Sequence, residues 1–351
     1  MLPATLRQQF RVGCLGRPLH EAFERTAGAE RALSVQWIPL DQPQEVVAAA
    51  LEPVHGYYVS SAKDELPAAF RVTPALLARM PQLLVVVTYG AGYDTVDLDA
   101  CTHAGIAVVN QAGGNAEGVA EHALGMMLAL LKRIPEAHVA MKAGGIKRRE
   151  SFLGRELHGR TVGVVGLGHV GMRTARYLHA FDCRVLAYDP YLDAAACKAR
   201  GAEKVELAHL LAHSDIVSLH CPLTKDTRRM FDKRAFDSMQ PGAVFVTTAR
   251  GGVHDEQALY EALASGHLAG AGLDVWDTEP PPANHPLLGH PAVIASVHTA
   301  GVTHESRQRV ARMAAEVFVE AAAGRALPRL LNPDVTPRYA ARWGAAFSAA
   351  A

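Results

Sequence analysis

Short runs of consecutive apolar residues alternate along this chain with stretches of helical periodicity. The apolar runs fall at 83–88, 161–165, 184–187, 216–219, 243–247 and 293–297. They are apolar at successive positions, which suits strands buried on both faces of a parallel sheet wrapped by helices. Between them 170–180, 207–213 and 255–265 read as helices. The order is therefore β-α-β, repeated, and the fold class is α/β. One further stretch, 116–142, carries a helical pattern that is mostly apolar until its end, more than one amphipathic surface helix should show. It is expected to pack between domains or subunits. No internal repeat interrupts the chain, and the tail from Asn332, with two prolines and then an alanine-rich stretch, reads as a docked extension or a frayed end.

Length adds domain organisation to this picture. At 351 residues the chain exceeds the usual size of one hydrophobic core, so two domains are expected, with a ligand in the cleft between them. Lysine plus arginine equals aspartate plus glutamate at 35 each, which removes any electrostatic case for nucleic acid or anionic lipid. No run reaches the roughly 18 to 20 apolar residues that a membrane span needs. The chain reads as cytoplasmic and unprocessed. Cys14, Cys101, Cys183, Cys197 and Cys221 form no CxxC pair and are odd in number, so no disulfide framework or metal site is suggested.

The sharpest local signal is TVGVVGLGHVGMRTARYLHAFDCRVLAYDP, in which a short strand runs into Gly166, Gly168 and Gly171 and then into a helix. Gly166 permits the tight turn, Gly168 lets the backbone approach a pyrophosphate, and Gly171 lets the helix pack closely on the strand. The next strand ends at Asp189, about 20 residues on, where a carboxylate can accept from the adenosine ribose hydroxyls. Asp189 would repel a 2′-phosphate, and Pro190 and Tyr191 follow it in place of a phosphate-binding arginine. NAD is favoured over NADP.

Three other segments have the composition of strand ends followed by loops: TTARGGVHDE, GLDVWDTEPPP and ASVHTAG. In a doubly wound sheet these ends share the carboxyl edge with the glycine loop, so Arg250, Glu279 and His298 should converge there. Reduction of a keto acid needs a cation for the carboxylate, a proton source for the carbonyl oxygen and a held hydride donor. Arg250 fits the first need, because a guanidinium recognises a carboxylate with two parallel bonds. His298 oriented by Glu279 fits the second, and the carboxylate should raise the imidazole pKa.

These residues resemble the D-isomer-specific 2-hydroxyacid dehydrogenase family. The likeness runs through VVTYGAGYDTVDLDACTHAGIAVVN, GGNAEGVAEHALGMMLALLKR, the glycine loop, LHCPLTKDTRRMFD, TTARGGVHDEQAL, LAGAGLDVWDTEPPP and VHTAGVT. It implies two doubly wound parallel-sheet domains, with a Rossmann NAD domain (112–301) inserted into a flavodoxin-like split substrate domain (1–111 and 302–335), followed by a tail (336–351). It assigns Arg250 to substrate binding, Glu279 to pairing with the histidine and His298 to acid–base catalysis. Backbone contacts to the cofactor are implied at His169 and Val170, and further cofactor contacts at Asp189, Cys221, Pro222, Thr227, Thr248, Ala249, Arg250, Asp274, His298 and Gly301. Among these, Asp274 would accept from the nicotinamide carboxamide. Tyr89, Gly90, Ala91 and Gly92 match the loop whose amides help to hold the substrate carboxylate, together with Arg250 and His298. The partners implied are a small 2-keto or 2-hydroxy acid and a second copy of the chain, joined through 116–142. Two positions depart from the family pattern, in that Val297 precedes the histidine where proline is usual and His254, expected in packing or at the surface, replaces a small apolar residue. Other activities on this fold are an NAD-sensing corepressor and a dehydrogenase of phosphite or formate. Glu279 argues against the formate branch, which carries glutamine there.

Overall fold

The computed structural model describes residues 9–144 and 148–347. The chain forms two compact units, one from the described residues up to Asn115 and again from Thr303, the other Ala116–Val302. The sequence puts the crossings near Gln111 and after Gly301, and the chain passes between units a few residues later in the first case and one later in the second.

The split unit carries β1 (Phe10–Leu15), β2 (Leu33–Ile38), β3 (Gly56–Val59), β4 (Val85–Thr88) and β5 (Ala107–Val109). All are parallel, in the order β2-β1-β3-β4-β5, which is the flavodoxin-like order. Every residue of β3, β4 and β5 is buried. Alternate side chains feed opposite layers: Tyr58 and Val87 pack with Phe10, Phe23 and Phe318, whereas Tyr57 and Val86 pack with Leu51, Phe70 and Met80. The returning helix His304–Ala322 starts at Thr303, whose hydroxyl accepts from the Ser306 amide at 3.1 Å. As far as residue 347 the tail is a docked extension. Its helix Thr336–Phe347 buries Tyr339 and Phe347, stacks Phe347 on Phe10 at 5.8 Å, and donates from Trp343 Nε1 to the Ala321 carbonyl at 2.7 Å.

The continuous unit carries β6 (Thr161–Val165), β7 (Arg184–Tyr188), β8 (Glu203–Lys204), β9 (Ile216–Leu219), β10 (Ala243–Thr247), β11 (Leu268–Leu273) and β12 (Val293–Ala295). They run parallel in the order β12-β11-β10-β9-β6-β7-β8. Numbered within the unit this is 7-6-5-4-1-2-3, the doubly wound dinucleotide-binding arrangement, with its switch point between β6 and β9. The strand expected at 293–297 stops at Ala295: the Ser296 amide still bonds the Leu273 carbonyl at the end of β11, but the Ser296 hydroxyl turns to Asp274 and the His298 amide to the Asp274 carbonyl.

The 116–142 stretch is not one helix. Helix Ala116–Leu131 ends, Arg133 adopts φ 51, and Ile134–Lys142 begins with Pro135 in its first turn. A proline has no N–H for the previous turn and fits only near a helix start, so the pattern restarts there. The first piece buries Ala123, Met126, Met127 and Leu131 against β6 and β10 residues, making it a core helix of this unit. The second buries none of its side chains and exposes Ile134, Val139 and Met141. Among the described residues, no helix is long and apolar enough to cross a membrane.

Candidate active site

Because β12, β11, β10, β9, β6 and β7 are neighbours in that order, the residues singled out from sequence fall in rank along one carboxyl edge. His298 follows β12, Asp274 and Glu279 follow β11, Thr248, Ala249 and Arg250 follow β10, Cys221 and Pro222 follow β9, Gly166 follows β6, and Asp189 follows β7. Five strand intervals separate the first from the last, about 24 Å at the usual spacing. The catalytic candidates occupy one end of this row and Asp189, the candidate for the adenosine ribose, the other. The glycine loop lies at the switch point between them.

That loop is built by close approach. Gly166 has φ +86, and a Cβ there would stand 2.8 Å from the Cys221 amide nitrogen. At Gly171 a Cβ would meet the Gly166 carbonyl oxygen at 2.1 Å. Space above Gly168, by contrast, is open, with nothing within 4 Å of a Cβ. Gly168 also supplies no side-chain cap to the helix His169–His179, whose first turn presents its amides and the positive end of the helix dipole. Asp189 accepts from the Leu167 amide at 2.9 Å and from the Tyr191 amide at 3.0 Å. The next helix, Ala194–Ala199, is capped by Asp193, so Asp189 does not serve as its cap. Arg200 donates to the Leu167 carbonyl at 2.7 Å, tying the loop from its other side. Thr227 donates to the Pro222 carbonyl at 2.7 Å and closes the turn after β9. Cys221 is buried, which pushes its thiol up to about 11. The Thr248 hydroxyl is buried with no hydrogen-bond partner in the protein, the condition a bound polar group would relieve. Open glycine, uncapped helix start and orphaned hydroxyl together fit a dinucleotide.

At the other end, His298 Nδ1 lies 2.8 Å from Glu279 Oε2, and Glu279 Oε1 accepts from the Trp276 amide at 3.0 Å. The hydrogen bond and charge of Glu279 raise the His298 pKa above its ordinary value, against burial and the Arg250 charge. Burial tends to raise Glu279, but its bonds from His298 and Trp276 outweigh this and hold its carboxyl below the usual range. Arg250 acts electrostatically on both, and one of its nitrogens donates to the Ala249 carbonyl at 2.7 Å.

Several contributors lie outside the sequence reading. Gly252, two residues past Arg250, donates its amide to Asp277 Oδ1 at 2.7 Å, and the Asp277 amide donates to Glu256 Oε1 at 2.8 Å. These bonds lock the Arg250 and Glu279 loops together. Asp274 is 1% exposed. Its Oδ1 accepts from Ser296 Oγ at 2.6 Å and the Thr299 amide at 2.8 Å, and its Oδ2 from the Ala300 amide at 2.9 Å. A carboxylate offers about four lone-pair sites, so one remains on Oδ2. His298 itself has φ 53 and donates its amide to the Asp274 carbonyl at 2.8 Å. The family resemblance makes Asp274 a cofactor contact; here it also organises the histidine turn. His254 is wholly buried against Phe245, with neither ring nitrogen bonded, and this pushes its pKa down to about 4.

Tyr89, Gly90, Ala91 and Gly92 belong to the split unit, at the carboxyl end of β4. The Tyr89 amide donates to the Val59 carbonyl at 3.0 Å, Gly90 accepts from the Gln111 amide at 2.8 Å, and Ala91 accepts from Asn110 Nδ2 at 2.7 Å.

The order of strands and the contents of the sheet edge define a dehydrogenase-type dinucleotide unit, and residues 124–300 match the family described as D-isomer specific 2-hydroxyacid dehydrogenase, NAD binding domain. The chain belongs to the D-isomer-specific 2-hydroxyacid dehydrogenase family. It is 39% identical to D-3-phosphoglycerate dehydrogenase of Archaeoglobus fulgidus over 76% of this chain and 51% of that one, so it spans about half the length of that relative. It is 39% identical to glyoxylate reductase of Korarchaeum cryptofilum over 73% of this chain and 78% of that one. Among solved structures, D-lactate dehydrogenase from Aquifex aeolicus, complexed with NAD and lactic acid, superposes with a TM-score of 0.77 at 29% identity, covering 92% of this chain and 99% of that one.

Proposed function

We propose that this chain is an NAD-dependent dehydrogenase that interconverts a small D-2-hydroxy acid and its 2-keto acid. The observation that carries this reading is the bond between His298 Nδ1 and Glu279 Oε2, 2.8 Å, at the opposite end from Asp189 of the strand row that contains the glycine loop.

The dinucleotide, when bound, supplies or accepts the hydride at the substrate's alpha carbon. The first-turn amides at His169 and Val170 hold its pyrophosphate, and Asp189 takes the ribose hydroxyls, where a 2′-phosphate would meet a carboxylate. Thr248 and Asp274 offer the buried hydroxyl and the remaining lone pair to its amide end. Arg250 holds the substrate carboxylate and polarises the adjacent carbonyl. With Nδ1 committed to Glu279, His298 has Nε2 left to exchange a proton. In reduction, Nε2–H gives its proton to the carbonyl oxygen, and the imidazole returns to neutral with its Nδ1–H still on Glu279. In oxidation the same nitrogen accepts the hydroxyl proton. Glu279 favours the charged ring, which keeps the acid loaded for reduction above the ordinary histidine pKa. A homodimer through 116–142 is part of the proposal, supported by the exposed Ile134, Val139 and Met141.

NADH consumption is to be followed with glyoxylate, hydroxypyruvate, pyruvate, phenylpyruvate and 3-phosphohydroxypyruvate, and NAD reduction with formate and phosphite. Turnover of a 2-keto acid that is lost in Arg250→Ala and in His298→Ala is the expected result. NADH binding without turnover of any keto acid, or reduction of NAD by formate or phosphite alone, overturns the assignment.

A further inference from the structure

The helix Ala116–Leu131 is apolar along most of its length, yet it carries His122, which reaches out of the helix to the far edge of the sheet. His122 Nε2 lies 3.0 Å from Ser296 Oγ, and Ser296 Oγ donates to Asp274 Oδ1 at 2.6 Å. A serine hydroxyl has one proton, and here it is spent on the carboxylate. His122 must therefore donate from Nε2 to Ser296, which fixes its tautomer. Ser296 in turn is the first residue past β12 and stands two before His298. The three side chains form a directed chain, His122 to Ser296 to Asp274, and its last member holds the Thr299 and Ala300 amides that set the turn of His298.

The geometry points to Ser296 and His122 as positioning residues for the acid–base histidine, acting through Asp274; this rests on the reading of His298 as the proton-transfer group. Without Ser296, Oδ1 keeps only the Thr299 amide, and the carboxylate can turn about its last torsion. His122 Nε2 is then left 3.9 Å from Oδ1, beyond hydrogen-bond distance, and restrains it only weakly. His298, two residues from the lost bond, loses the fixed approach of Nε2 to the carbonyl oxygen. A displacement of about 1 Å is enough to cost roughly a hundredfold in rate. The substrate carboxylate contact at Arg250 comes from a different strand and should stand.

The test uses the whole chain with Ser296→Ala, Ser296→Thr, His122→Ala and His122→Gln. Threonine keeps the hydroxyl, and glutamine places an amide donor near the position of Nε2. Expected is a fall in kcat of roughly ten- to a hundredfold in the two alanine variants with KM nearly constant, recovered in large part by threonine and glutamine. Hydrogen exchange at the Thr299 and Ala300 amides gives a readout that needs no turnover, and it should accelerate in Ser296→Ala while exchange in β6 and β9 is unchanged. Alanine variants within twofold of the parent kcat, or a loss that threonine fails to recover, overturn the inference. So does unaltered exchange at Thr299 and Ala300. If the parent protein reduces no keto acid, the proposed function fails by itself, and exchange at these two amides still decides whether the chain of bonds sets the turn.

Discussion

His254→Leu isolates one buried group whose effect can be worked out in advance. His254 stands four residues after Arg250, is 0% exposed, packs its ring at 5.6 Å from Phe245, and bonds through neither nitrogen. Burial lowers its pKa from 6.5 to about 4 in the folded state. In the unfolded chain the ring takes up its proton near 6.5, so the unfolded state binds more protons over this interval and stability falls as pH falls. The sign is that of a depressed pKa: the contribution is intact above the unfolded value and lost on descending through the folded one. The interval spans about two and a half pH units at about 1.4 kcal/mol each, giving roughly 3 kcal/mol in full and about 2 kcal/mol by pH 5. At neutral pH the leucine also removes two unsatisfied polar atoms, a further gain of about 1 kcal/mol or more. Urea unfolding of parent and variant at about pH 7.5 and pH 5 measures both. The variant should be the more stable at each pH, and its advantage should widen by about 2 kcal/mol at the lower one. Parallel stability curves would refute the argument, because they would mean that His254 finds a partner or a proton without opening the core.

Three further outcomes are expected. Glu279→Gln keeps a hydrogen-bond acceptor for His298 Nδ1 but removes the charge, so the high-pH limb of keto-acid reduction moves to lower pH in a kcat/KM profile; an unmoved limb would detach Glu279 from the titration. The same pair adds stability that is lost as pH rises through the raised His298 pKa and also as pH falls through the lowered Glu279 pKa. Gly171→Ala gains about 1 kcal/mol of helix propensity, yet its Cβ would sit 2.1 Å from the Gly166 carbonyl. Helix and loop must part by about 1 Å, and the loss of one charge-assisted bond to the pyrophosphate, about 1.5–3 kcal/mol, should weaken NADH affinity, measured by fluorescence titration, by roughly ten- to a hundredfold. Asp274→Asn can keep its oxygen toward Ser296 and Thr299 and turn its NH2 toward the Ala300 amide, which loses one bond and sets donor against donor. That costs about 1–3 kcal/mol at the turn, seen as faster exchange at Ala300 with Thr299 still protected.

The dinucleotide unit was the most legible part of the chain. Strands Thr161–Val165, Ile216–Leu219 and Ala243–Thr247 have the bounds of their apolar runs, because burial on both faces leaves few polar positions to blur them, and helix Leu207–His213 has the bounds its helical pattern predicts. The glycine loop was readable because each glycine answers a local steric demand. The apolar run 293–297 outlasts its strand by two residues, since Val297 continues the run while the Ser296 hydroxyl is drawn off to Asp274, a contact that composition does not reveal. The break in 116–142 had a signal in Pro135, overridden by the apolar pattern on either side. His122 and Ser296, 174 positions apart, could be paired only by the fold. A clue was present, because a histidine inside an apolar helix needs a partner.

The turn at His298 joins these strands of argument. A residue other than glycine at φ 53 is held in a region that costs of order 1 kcal/mol or more, and it persists only where its surroundings over-determine it. Here the Asp274 carbonyl takes the His298 amide and the Asp274 carboxylate takes the next two amides. The backbone is thus fixed from β11 before the ring is placed, and Glu279, five residues past Asp274 on the same segment, fixes the ring. One stretch of chain after β11 therefore sets both the position and the protonation of the group after β12. Substitutions in that stretch should alter rate and pH dependence together, whereas those in the glycine loop should alter cofactor affinity first.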